Sequence, residues 1–500
     1  MISIVLNKPE FEYDVHSLVK AFFPETEVHI FAPLSDEKTG TGARSIERLG
    51  ENEYTTEIDV DYDFEKGSAK VSVKEGTGVC LFNEIEIPFS DRIKAKNALK
   101  EGIYRLLSDY TKKELPWGTL TGIRPTKFAL DFLYEGKDEK YIKDYLKNTF
   151  LTSEEKTNLA FRVATNEKRL LDEVDFEKGY SLYVGIPFCP STCLYCSFTS
   201  YAIGFYKDRI DAYLSAVEKE LAFTAEACKD KVLNTVYFGG GTPTTLGAKE
   251  LERLIGFIKE KFDLSHLREF TVEAGRPDSI TREKLECLKE MGITRISINP
   301  QTMCQETLDI IGRKHTVFQT LEAYEMAREV GFDNINMDLI LGLPNEDEET
   351  VQKTLDWMRR VNPDNLTVHS LAVKRAARLN IFKEDYKELS IENTSNIMEM
   401  TQRCAADLEM EPYYLYRQKN MAGNFENVGY AKHGKACIYN VLIMEEKQTI
   451  MACGAGASTK FVVDGEPSRI IAPKDIETYI NGIDGLIDKK REKMEDLKWL

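Results

Sequence analysis

The stretch Tyr183-Val-Gly-Ile-Pro-Phe-Cys-Pro-Ser-Thr-Cys-Leu-Tyr-Cys196 places three cysteines on one loop, directly after a short apolar strand. Cys189, Cys193 and Cys196 have the spacing CxxxCxxC. Three thiolates can hold three irons of a 4Fe–4S cluster and leave the fourth iron without a protein ligand. An open iron lets a cluster bind and reduce a small molecule rather than only carry electrons. The loop therefore predicts such a cluster.

Chance and a structural zinc site are two simpler explanations of the cysteine spacing. With 10 cysteines in 500 residues, chance gives roughly 0.004 matches to this pattern. A structural zinc site needs four ligands, usually as two pairs of Cys or His, and the sequence has no second pair. The other cysteines stand singly: Cys80, Cys228, Cys287, Cys304, Cys404, Cys437 and Cys453.

From about residue 180, apolar strands alternate with amphipathic helices. The predicted strands are Leu182–Ile186, Thr235–Phe238, Phe270–Ala274, Arg295–Ile298, Ile335–Leu341 and Leu366–Leu371. Repeated βα units predict parallel strands with right-handed crossovers. Six such units predict an α/β fold with a partial (β/α)6 barrel, whose active site lies at the carboxyl ends of the strands. The cysteine loop follows the first strand and falls on that face.

The regions outside the barrel predict further domains. Residues 1–115 are typical of an α+β domain, with a hairpin around Glu65-Lys-Gly67 and a helix from Asp91 to Tyr110. Residues 116–175 are expected to form a helical connector, and the barrel takes 176–375. Residues 376–500 are predicted to form a mixed C-terminal domain, which ends in a charged helix from Ile476 to Leu497.

Composition limits the partners. The formal net charge of −17 opposes binding to phosphate backbones, so nucleic acid is not expected as a partner. No apolar run approaches the ~18 residues of a membrane helix. Unpaired cysteines without a signal peptide predict the cytoplasm.

Polar residues follow or interrupt the predicted strands. The second strand ends in Gly239-Gly-Gly-Thr242, where the backbone can approach a ligand closely. Glu273 and Asp338 lie in apolar strands, and a buried carboxylate is costly unless it has a partner. Inward polar groups on neighbouring strands favour a polar ligand, but Glu273 could instead form a buried ion pair with Arg276 or Arg295.

Four phrases together carry a resemblance to a known family. They are Tyr183-Val-Gly-Ile-Pro-Phe-Cys189, Tyr237-Phe-Gly-Gly-Gly-Thr-Pro-Thr244, Arg295-Ile-Ser-Ile-Asn-Pro-Gln301 and Asp338-Leu-Ile-Leu-Gly-Leu-Pro344. Residues 180–375 resemble the coproporphyrinogen III dehydrogenase-like (HemN-type) family of radical S-adenosylmethionine (SAM) proteins. The phrases Leu120-Thr-Gly-Ile-Arg-Pro-Thr-Lys127 and Tyr416-Arg-Gln-Lys-Asn-Met-Ala-Gly-Asn-Phe-Glu-Asn-Val-Gly-Tyr430 extend the resemblance to the HemZ subgroup.

The resemblance implies a radical SAM barrel and a set of site residues. Cys189, Cys193 and Cys196 match the cluster ligands. The matching SAM contacts are Tyr183, Tyr195, Gly240, Gly241, Thr242, Glu273, Gln301, Arg313, Asp338 and, less closely, Ala372. In this family SAM binds the open iron, and reduction of the cluster releases methionine and a 5′-deoxyadenosyl radical. The resemblance also implies a reductant such as flavodoxin or ferredoxin, and a second SAM beside the first.

Two positions depart from the family. The family motif usually reads Tyr-x-His-Ile-Pro-Phe-Cys, but Gly185 takes the position of the His. The haem chaperones of the family carry His-Asn-x-x-Tyr-Trp where this chain reads Tyr439-Asn-Val-Leu-Ile-Met444. Both departures remove an imidazole.

The resemblance implies oxygen-independent oxidative decarboxylation of coproporphyrinogen III to protoporphyrinogen IX. A haem-binding chaperone and a haem-degrading radical SAM methyltransferase are the alternatives. A porphyrinogen or haem-like substrate carries carboxylates, so cationic side chains are expected around it. The leading candidates are Arg417 and Lys419, followed by Arg124 and Arg375, although solvated surface charge explains each of them equally well.

Overall fold

The structure, a computed structural model, describes residues 1–24, 26–33, 54–76, 78–372, 377–381, 388–417 and 425–499. By packing, the chain forms two compact units, 1–164 and 165–500. The finer domain boundaries at residues 115, 175 and 375 stay predictions.

The first unit contains a five-stranded sheet within its described residues, in the order β2-β1-β3-β4-β5. Its strands are β1 (Ile2–Leu6), β2 (Val28–Phe31), β3 (Thr56–Asp63), β4 (Ser68–Glu75) and β5 (Gly78–Glu86). Its helices are α1 (Glu12–Phe22), α2 (Arg92–Thr111), α3 (Lys127–Tyr134), α4 (Glu139–Phe150) and most of α5 (Glu154–Asp172). Asp63 pairs with Ser68 across the tip of the β3–β4 hairpin, so the predicted hairpin is confirmed.

Helix α2 closes one face of this sheet. The Asp91 carboxylate accepts the backbone N–H groups of Ile93 and Lys94 and so begins the helix. Leu99, Ile103 and other residues of one helix face are buried in a core shared with β1, β3 and β4. The predicted helix from Asp91 to Tyr110 is therefore confirmed.

The second unit is built on eleven strands of one sheet, counted over its described residues. The strands of the unit are β6 (Gly179–Ile186), β7 (Phe188–Cys189), β8 (Tyr201–Ala202), β9 (Val232–Gly240), β10 (Glu269–Glu273), β11 (Arg295–Ser297), β12 (Ile335–Leu341), β13 (Asn365–Ser370), β14 (Glu411–Tyr416), β15 (Asn427–Ala431), β16 (Thr449–Cys453), β17 (Ser458–Val463) and β18 (Glu466–Ile471). Strands β7 and β8 form a separate short pair.

Helices connect most of these strands. They are α6 (Ile210–Ala227), α7 (Ala248–Lys261), α8 (Arg282–Glu290), α9 (Gln305–Ile310), α10 (Val317–Val330), α11 (Glu348–Val361), α12 (Arg378–Ile381), α13 (Ser395–Asp407), α14 (Ile438–Glu445), α15 (Ile476–Asn481) and α16 (Ile483–Asp496). Helix α10 shows how local sequence sets its ends: Thr316 and Gln319 form a capping box, and Gly331 ends the helix at φ 101°.

Strands β6, β9, β10, β11, β12 and β13 lie side by side, each parallel to the next. They match the six predicted strands, and the partial (β/α)6 radical SAM barrel is confirmed. Their residues are almost all buried, as expected for parallel strands covered by helices.

The C-terminal residues extend this sheet at both edges. Strand β16 adds beside β6 in parallel, and β17 and β18 follow in antiparallel order. At the other edge β15 and β14 pair antiparallel to β13 and to each other.

The predicted C-terminal helix from Ile476 to Leu497 is wrong as one element, because it is broken at Gly482 into α15 and α16. Glycine is a poor helix former, and a Cβ at this position would lie only 2.8 Å from the carbonyl oxygen of Thr478. Among the helices that the structure describes, none has the length and apolar character needed to cross a membrane.

Candidate active site

The cysteine loop leaves the carboxyl end of β6 and is held on three sides. Phe188 pairs with Tyr201 in the short β7–β8 ladder. The Leu194 N–H donates to the Ile311 carbonyl at 2.9 Å, and the Ser191 hydroxyl donates to the Gly312 carbonyl at 3.3 Å. The loop is thus fixed to the carboxyl ends of the barrel strands, as the sequence predicts.

The three thiols of the loop differ in their exposure to solvent. Cys189 is buried, while Cys193 and Cys196 are partly exposed. Burial raises the pKa of Cys189 to about 11, against an opposing hydrogen bond with Thr242. Burial also raises the pKa of Cys196. Thiolates form here when a metal displaces the protons.

Arg276 supplies a positive charge beside the loop. Its Nη1 donates to Cys193 Sγ at 3.6 Å and to the Ser191 carbonyl at 3.2 Å, while the Asp278 carboxylate holds its other nitrogens at 2.7 and 2.9 Å. A donor to a ligand sulfur stabilises the thiolate form and the reduced form of a cluster.

The thiols are ligands of the kind that an iron–sulfur cluster needs. Over the described residues, no three His, Cys, Asp or Glu side chains converge on one metal-ion position. Cluster ligands need not converge, because each sulfur binds a different iron. A Cβ on Gly241 would lie 3.0 Å from Cys189 Sγ, so this glycine keeps space open beside the first thiol.

Backbone groups of the glycine run at the end of β9 bind the start of the cysteine loop. The N–H groups of Gly241 and Thr242 donate to the carbonyls of Ile186 and Phe188 at 2.8 and 2.7 Å. Gly240 has a φ of 112°, a conformation that glycine adopts without strain. These bonds join the ends of β6 and β9 directly beneath the cysteine loop.

Glu273 ends β10 and Asp338 lies within β12, so both carboxylates belong to strands further around the barrel. The Tyr237 hydroxyl donates to Glu273 Oε1 at 2.5 Å. Burial and the charge of Asp338 raise the pKa of Glu273 to about 7, although the Tyr237 hydrogen bond and the charge of Arg295 oppose them. Burial also acts to raise the pKa of Asp338, but the interactions with His369, Asn336 and Arg295 together outweigh it, so this pKa is lowered.

Gln301 and Arg313 are both buried at this edge of the sheet. Gln301 has a φ of 67°, its backbone bridges to β12, and its side-chain oxygen has no hydrogen-bond partner in the described structure. Arg313 donates to the carbonyls of Asn299, at 2.5 Å, and Gly275, at 3.0 Å. Arg313 therefore ties together the loops after β10 and β11, whatever else it binds.

A cavity of about 310 Å³ extends from this edge into the barrel. Glu273 and Asp338 line it, together with Phe198, which follows the last loop cysteine by two residues. Its other lining residues are Tyr183, Tyr237, Arg295, Ser297, Asn336, Thr367, His369, Tyr414, Tyr416, Tyr439, Asn440, Ile443 and Met444. A concave site with convergent polar groups is the usual setting for a small-molecule ligand.

Three tyrosines form a stack on one wall of this cavity. The ring centroids of Tyr183 and Tyr237 are 6.2 Å apart, and those of Tyr237 and Tyr439 are 4.4 Å apart, with interplanar angles of 13° and 20°. Burial raises the pKa of Tyr439 well above its ordinary value, so its phenol is neutral.

Comparison with known proteins gives the family. Residues 183–358 match the model of the Radical SAM superfamily. The chain is 40% identical over 410 residues to the oxygen-independent coproporphyrinogen-III oxidase-like protein HemZ of Bacillus subtilis, covering 81% of this chain and 82% of that protein. The chain belongs to this family of radical SAM proteins. The family implies a 4Fe–4S cluster and SAM as cofactors.

Two further relatives have different names. The haem chaperone HemW of Bacillus subtilis is 32% identical over 303 residues, which are 60% of this chain and 75% of that protein. The solved structure of coproporphyrinogen III oxidase HemN from Escherichia coli is 23% identical with a TM-score of 0.49, covering 64% of this chain and 72% of that one.

The structure brings together some predicted site residues and separates others. Tyr183, Glu273 and Asp338 line the large cavity, and Gly240 lines a second cavity of about 180 Å³ beside Gly185. Tyr195 packs against an apolar cluster around Leu194 and Leu308, while its hydroxyl interacts with the Cys193 thiol and the Arg313 charge. Ala372 follows β13 and is half-buried. The assignment of these residues to SAM stays a prediction.

The structure describes only two of the four cationic side chains that were predicted to bind the substrate. Arg417 is buried at the end of β14, and burial lowers its pKa to about 10. Arg124 is half-buried in the first unit. Lys419 and Arg375 lie outside the described residues. The large cavity has a different arginine in its wall, Arg295, which the sequence analysis named only as an ion-pair partner for Glu273.

That ion pair is not formed. Arg276 pairs with Asp278 at 2.7 Å, and the hydrogen-bond partner of Glu273 is Tyr237. Sequence reasoning also missed His369, whose Nε2 lies 3.9 Å from the Asp338 carboxylate and whose Nδ1 lies 3.4 Å from the Tyr416 hydroxyl. A histidine inside an apolar strand was the available signal for it.

Proposed function

We propose that this protein is a radical SAM oxidoreductase that decarboxylates coproporphyrinogen III oxidatively to protoporphyrinogen IX without oxygen. The observation that carries the proposal is the large cavity. It brings Phe198, next to the cysteine loop, together with two carboxylates, Glu273 and Asp338, and one buried cation, Arg295. A cofactor with a ribose and an amino acid moiety needs the carboxylates, and a substrate with propionate arms needs the cation.

The proposed roles divide the residues into two groups. Cys189, Cys193 and Cys196 hold the cluster, and Glu273 and Asp338 accept hydrogen bonds from SAM. When bound, the cluster and SAM supply an electron and a radical that removes a hydrogen atom from the substrate. A flavodoxin or ferredoxin serves as the electron donor. A second SAM beside the first belongs to the same proposal, and the binding stoichiometry of SAM tests it.

The chemistry of the substrate sets what else is needed. A propionate arm that becomes a vinyl group loses one hydrogen atom from the carbon next to the ring, then one electron and carbon dioxide. The carbon–carboxylate bond breaks, and its electrons form the new double bond. The remaining electron has to pass to an external acceptor, so a one-electron acceptor is a required co-reactant.

The two departures from the family bear on the alternatives. Tyr439 takes the place of the chaperone histidine, and its phenol is buried, neutral and stacked on Tyr237. A buried neutral phenol is a poor ligand for haem iron, which counts against the chaperone alternative. Gly185 provides no imidazole at the position where the family has one, whereas the large cavity contains the imidazole of His369.

Anaerobic product analysis tests the proposal. Reconstituted protein, SAM, a low-potential reductant and coproporphyrinogen III are incubated together, and the tetrapyrroles are oxidised and separated by chromatography. The expected product has two vinyl groups in place of two propionates. If 5′-deoxyadenosine forms while both propionates persist with every electron donor and acceptor tried, decarboxylation is the wrong reaction. A methylated or ring-opened product from haem would favour the methyltransferase alternative.

A further inference from the structure

The large cavity contains a buried cation, Arg295, that forms no ion pair with any residue that the structure describes. The Arg295 side chain extends from β11 and is 1% exposed, and its Nε has no hydrogen-bond partner in the described structure. No carboxylate in the described ranges forms an ion pair with its guanidinium. An unpaired charge removed from water is strongly unfavourable. A stable site of this kind is expected to be completed by an anion.

Three carboxylates act on the Arg295 charge, those of Glu269, Glu273 and Asp338, and within the described residues none forms an ion pair with it. The charge of Glu269 acts on Arg295 from β10. However, its Oε2 accepts the backbone N–H of Ile438 at 2.7 Å, and its Oε1 accepts the Thr271 hydroxyl at 3.0 Å and the Cys437 thiol at 3.3 Å. Glu269 therefore fixes the start of α14 rather than neutralising the guanidinium directly.

Ser297 provides a second unsatisfied group on the same face of β11. It lies two residues after Arg295, so both side chains point into the barrel. Ser297 is 2% exposed, and its Oγ likewise lacks a hydrogen-bond partner in the described structure. A guanidinium and a hydroxyl can bind the two oxygens of one carboxylate.

The register of the sheet separates this pair from the carboxylates of the cavity. Glu273 lies opposite Ser297, whereas Arg295 lies opposite Thr271, one inward-facing position deeper in the barrel. Thr271 in turn lies opposite Tyr237, and Tyr237 lies opposite Tyr183. The guanidinium is therefore in the same row as the tyrosine stack, below the edge where SAM is proposed to bind.

We propose that Arg295 and Ser297 bind a carboxylate of the substrate, with the attached pyrrole ring against the stack of Tyr183, Tyr237 and Tyr439. This inference rests on the proposed tetrapyrrole substrate and deepens it. A cavity of about 310 Å³ is at the small end of ligand sites. It accepts one ring with its carboxylate arm, while the rest of the macrocycle stays outside.

The test compares the affinities of the full chain for two probe ligands. Coproporphyrin III, a stable oxidised form of the proposed substrate, carries four carboxylates, and its tetra-amide replaces each of them by an uncharged group of similar shape. Fluorescence titration measures both affinities. We expect the wild-type protein to bind the acid at least tenfold more tightly than the amide. Arg295→Gln should remove this preference by weakening binding of the acid alone, and Ser297→Ala should reduce it about threefold.

The melting temperature of Arg295→Gln distinguishes a role of Arg295 in ligand binding from a role in folding. Because the guanidinium forms no ion pair within the described residues, its replacement by a neutral amide should change the melting temperature little. A large drop in melting temperature, with equal loss of affinity for both probes, would mean that Arg295 is structural and would overturn the proposal. Equal binding of acid and amide by the wild-type protein would overturn it as well.

The outcome does not depend on turnover. Selective loss of acid binding in Arg295→Gln supports the carboxylate site even if no vinyl product forms, in which case decarboxylation alone is wrong. Vinyl product from a wild-type protein that does not discriminate between the probes would support decarboxylation and overturn the Arg295 site.

Discussion

Lys490 and Glu220 form an ion pair in the interior of the second unit, with 2.6 Å between Nζ and Oε1 and side-chain exposures of 2% and 0%. The second oxygen of Glu220 accepts the backbone N–H of Gly454 at 2.8 Å. Lys490 also donates to the Ala452 carbonyl at 2.6 Å. The pair thus joins α6 and α16 to the end of β16, beside the first strand of the barrel.

Removing one partner of this pair should destabilise the second unit strongly. Lys490→Met leaves a buried carboxylate without its cation, and such losses are about 3–5 kcal/mol. Urea unfolding measures the change. The double variant Lys490→Met with Glu220→Gln should recover part of the loss. Arg491→Ala is the control, because Arg491 lies on the same helix in an exposed pair with Asp488 and should change the stability far less. Equal effects of both single variants would show that the buried pair has no special role.

The three loop cysteines should bind the cluster as a set. Changing Cys189, Cys193 or Cys196 to Ala should each abolish the iron–sulfur absorbance and the cleavage of SAM after anaerobic reconstitution, because each removes the ligand of one iron. Cys80→Ala and Cys287→Ala are matched controls, since these thiols lie outside the loop. Parallel loss of iron from the controls would rule out the loop as the site.

Glu273 should make SAM binding dependent on pH. Its pKa is raised to about 7, so the carboxylate becomes ionised, and a better acceptor for hydroxyl donors, as the pH rises through 7. SAM affinity should therefore increase with pH in the wild-type protein. In Glu273→Gln it should be lower by about 1–3 kcal/mol and independent of pH, with the iron content unchanged.

The neighbours of Glu273 allow this effect to be assigned. The pKa of Tyr237 is raised and that of Asp338 lowered, so neither changes its charge near pH 7, and Arg295 stays protonated. His369 lies 3.9 Å from the Asp338 carboxylate, and His369→Gln controls for it. Equilibrium dialysis with labelled SAM gives the affinities. A pH dependence that survives in Glu273→Gln and disappears in His369→Gln would assign the titration to the imidazole instead.

The barrel was predictable from sequence because its strands are continuous apolar runs separated by helical patterns. Parallel strands buried on both faces leave this signal in the local sequence. The additional strands β14 to β18 were not predicted as members of the sheet, because the strand pairs that attach them to the barrel join residues far apart in the chain. Strand β16, for example, pairs with β6, which lies more than 200 residues earlier. Local periodicity contains no information about such partners.

The site was predictable only as a set of residue types. A carboxylate in an apolar strand pointed to Glu273 and Asp338, and both line the cavity. The same reasoning treated Arg295 as an ion-pair partner, because an unpaired buried arginine is rare. Its lack of a partner is a property of three-dimensional packing. The polar sequence around Asn420 and Asn424 likewise predicted Arg417 and Lys419 as substrate clamps, although Arg417 is buried.

The cluster should require glycine at position 241, because any larger residue would crowd the cysteine loop. A Cβ at this position would lie 2.5 Å from the Phe188 carbonyl oxygen and 3.0 Å from Cys189 Sγ. Neither atom can retreat easily, because Phe188 belongs to the β7–β8 ladder and its carbonyl accepts the Thr242 N–H. Gly241→Ala is therefore expected to displace the first cluster ligand and to lose about 1–3 kcal/mol of stability through overpacking.

The measurements are iron content and absorbance after anaerobic reconstitution, and the midpoint of urea unfolding. Gly204→Ala is the first control, since a Cβ there meets no heavy atom within 4 Å. Gly185→Ala is the second, because its nearest contact would be an ordinary 3.4 Å to the ring of Tyr183. Both controls should keep the cluster, while Gly241→Ala should lose most of it. A full cluster in Gly241→Ala would mean that the close approach of β9 to the cysteine loop is not what positions Cys189.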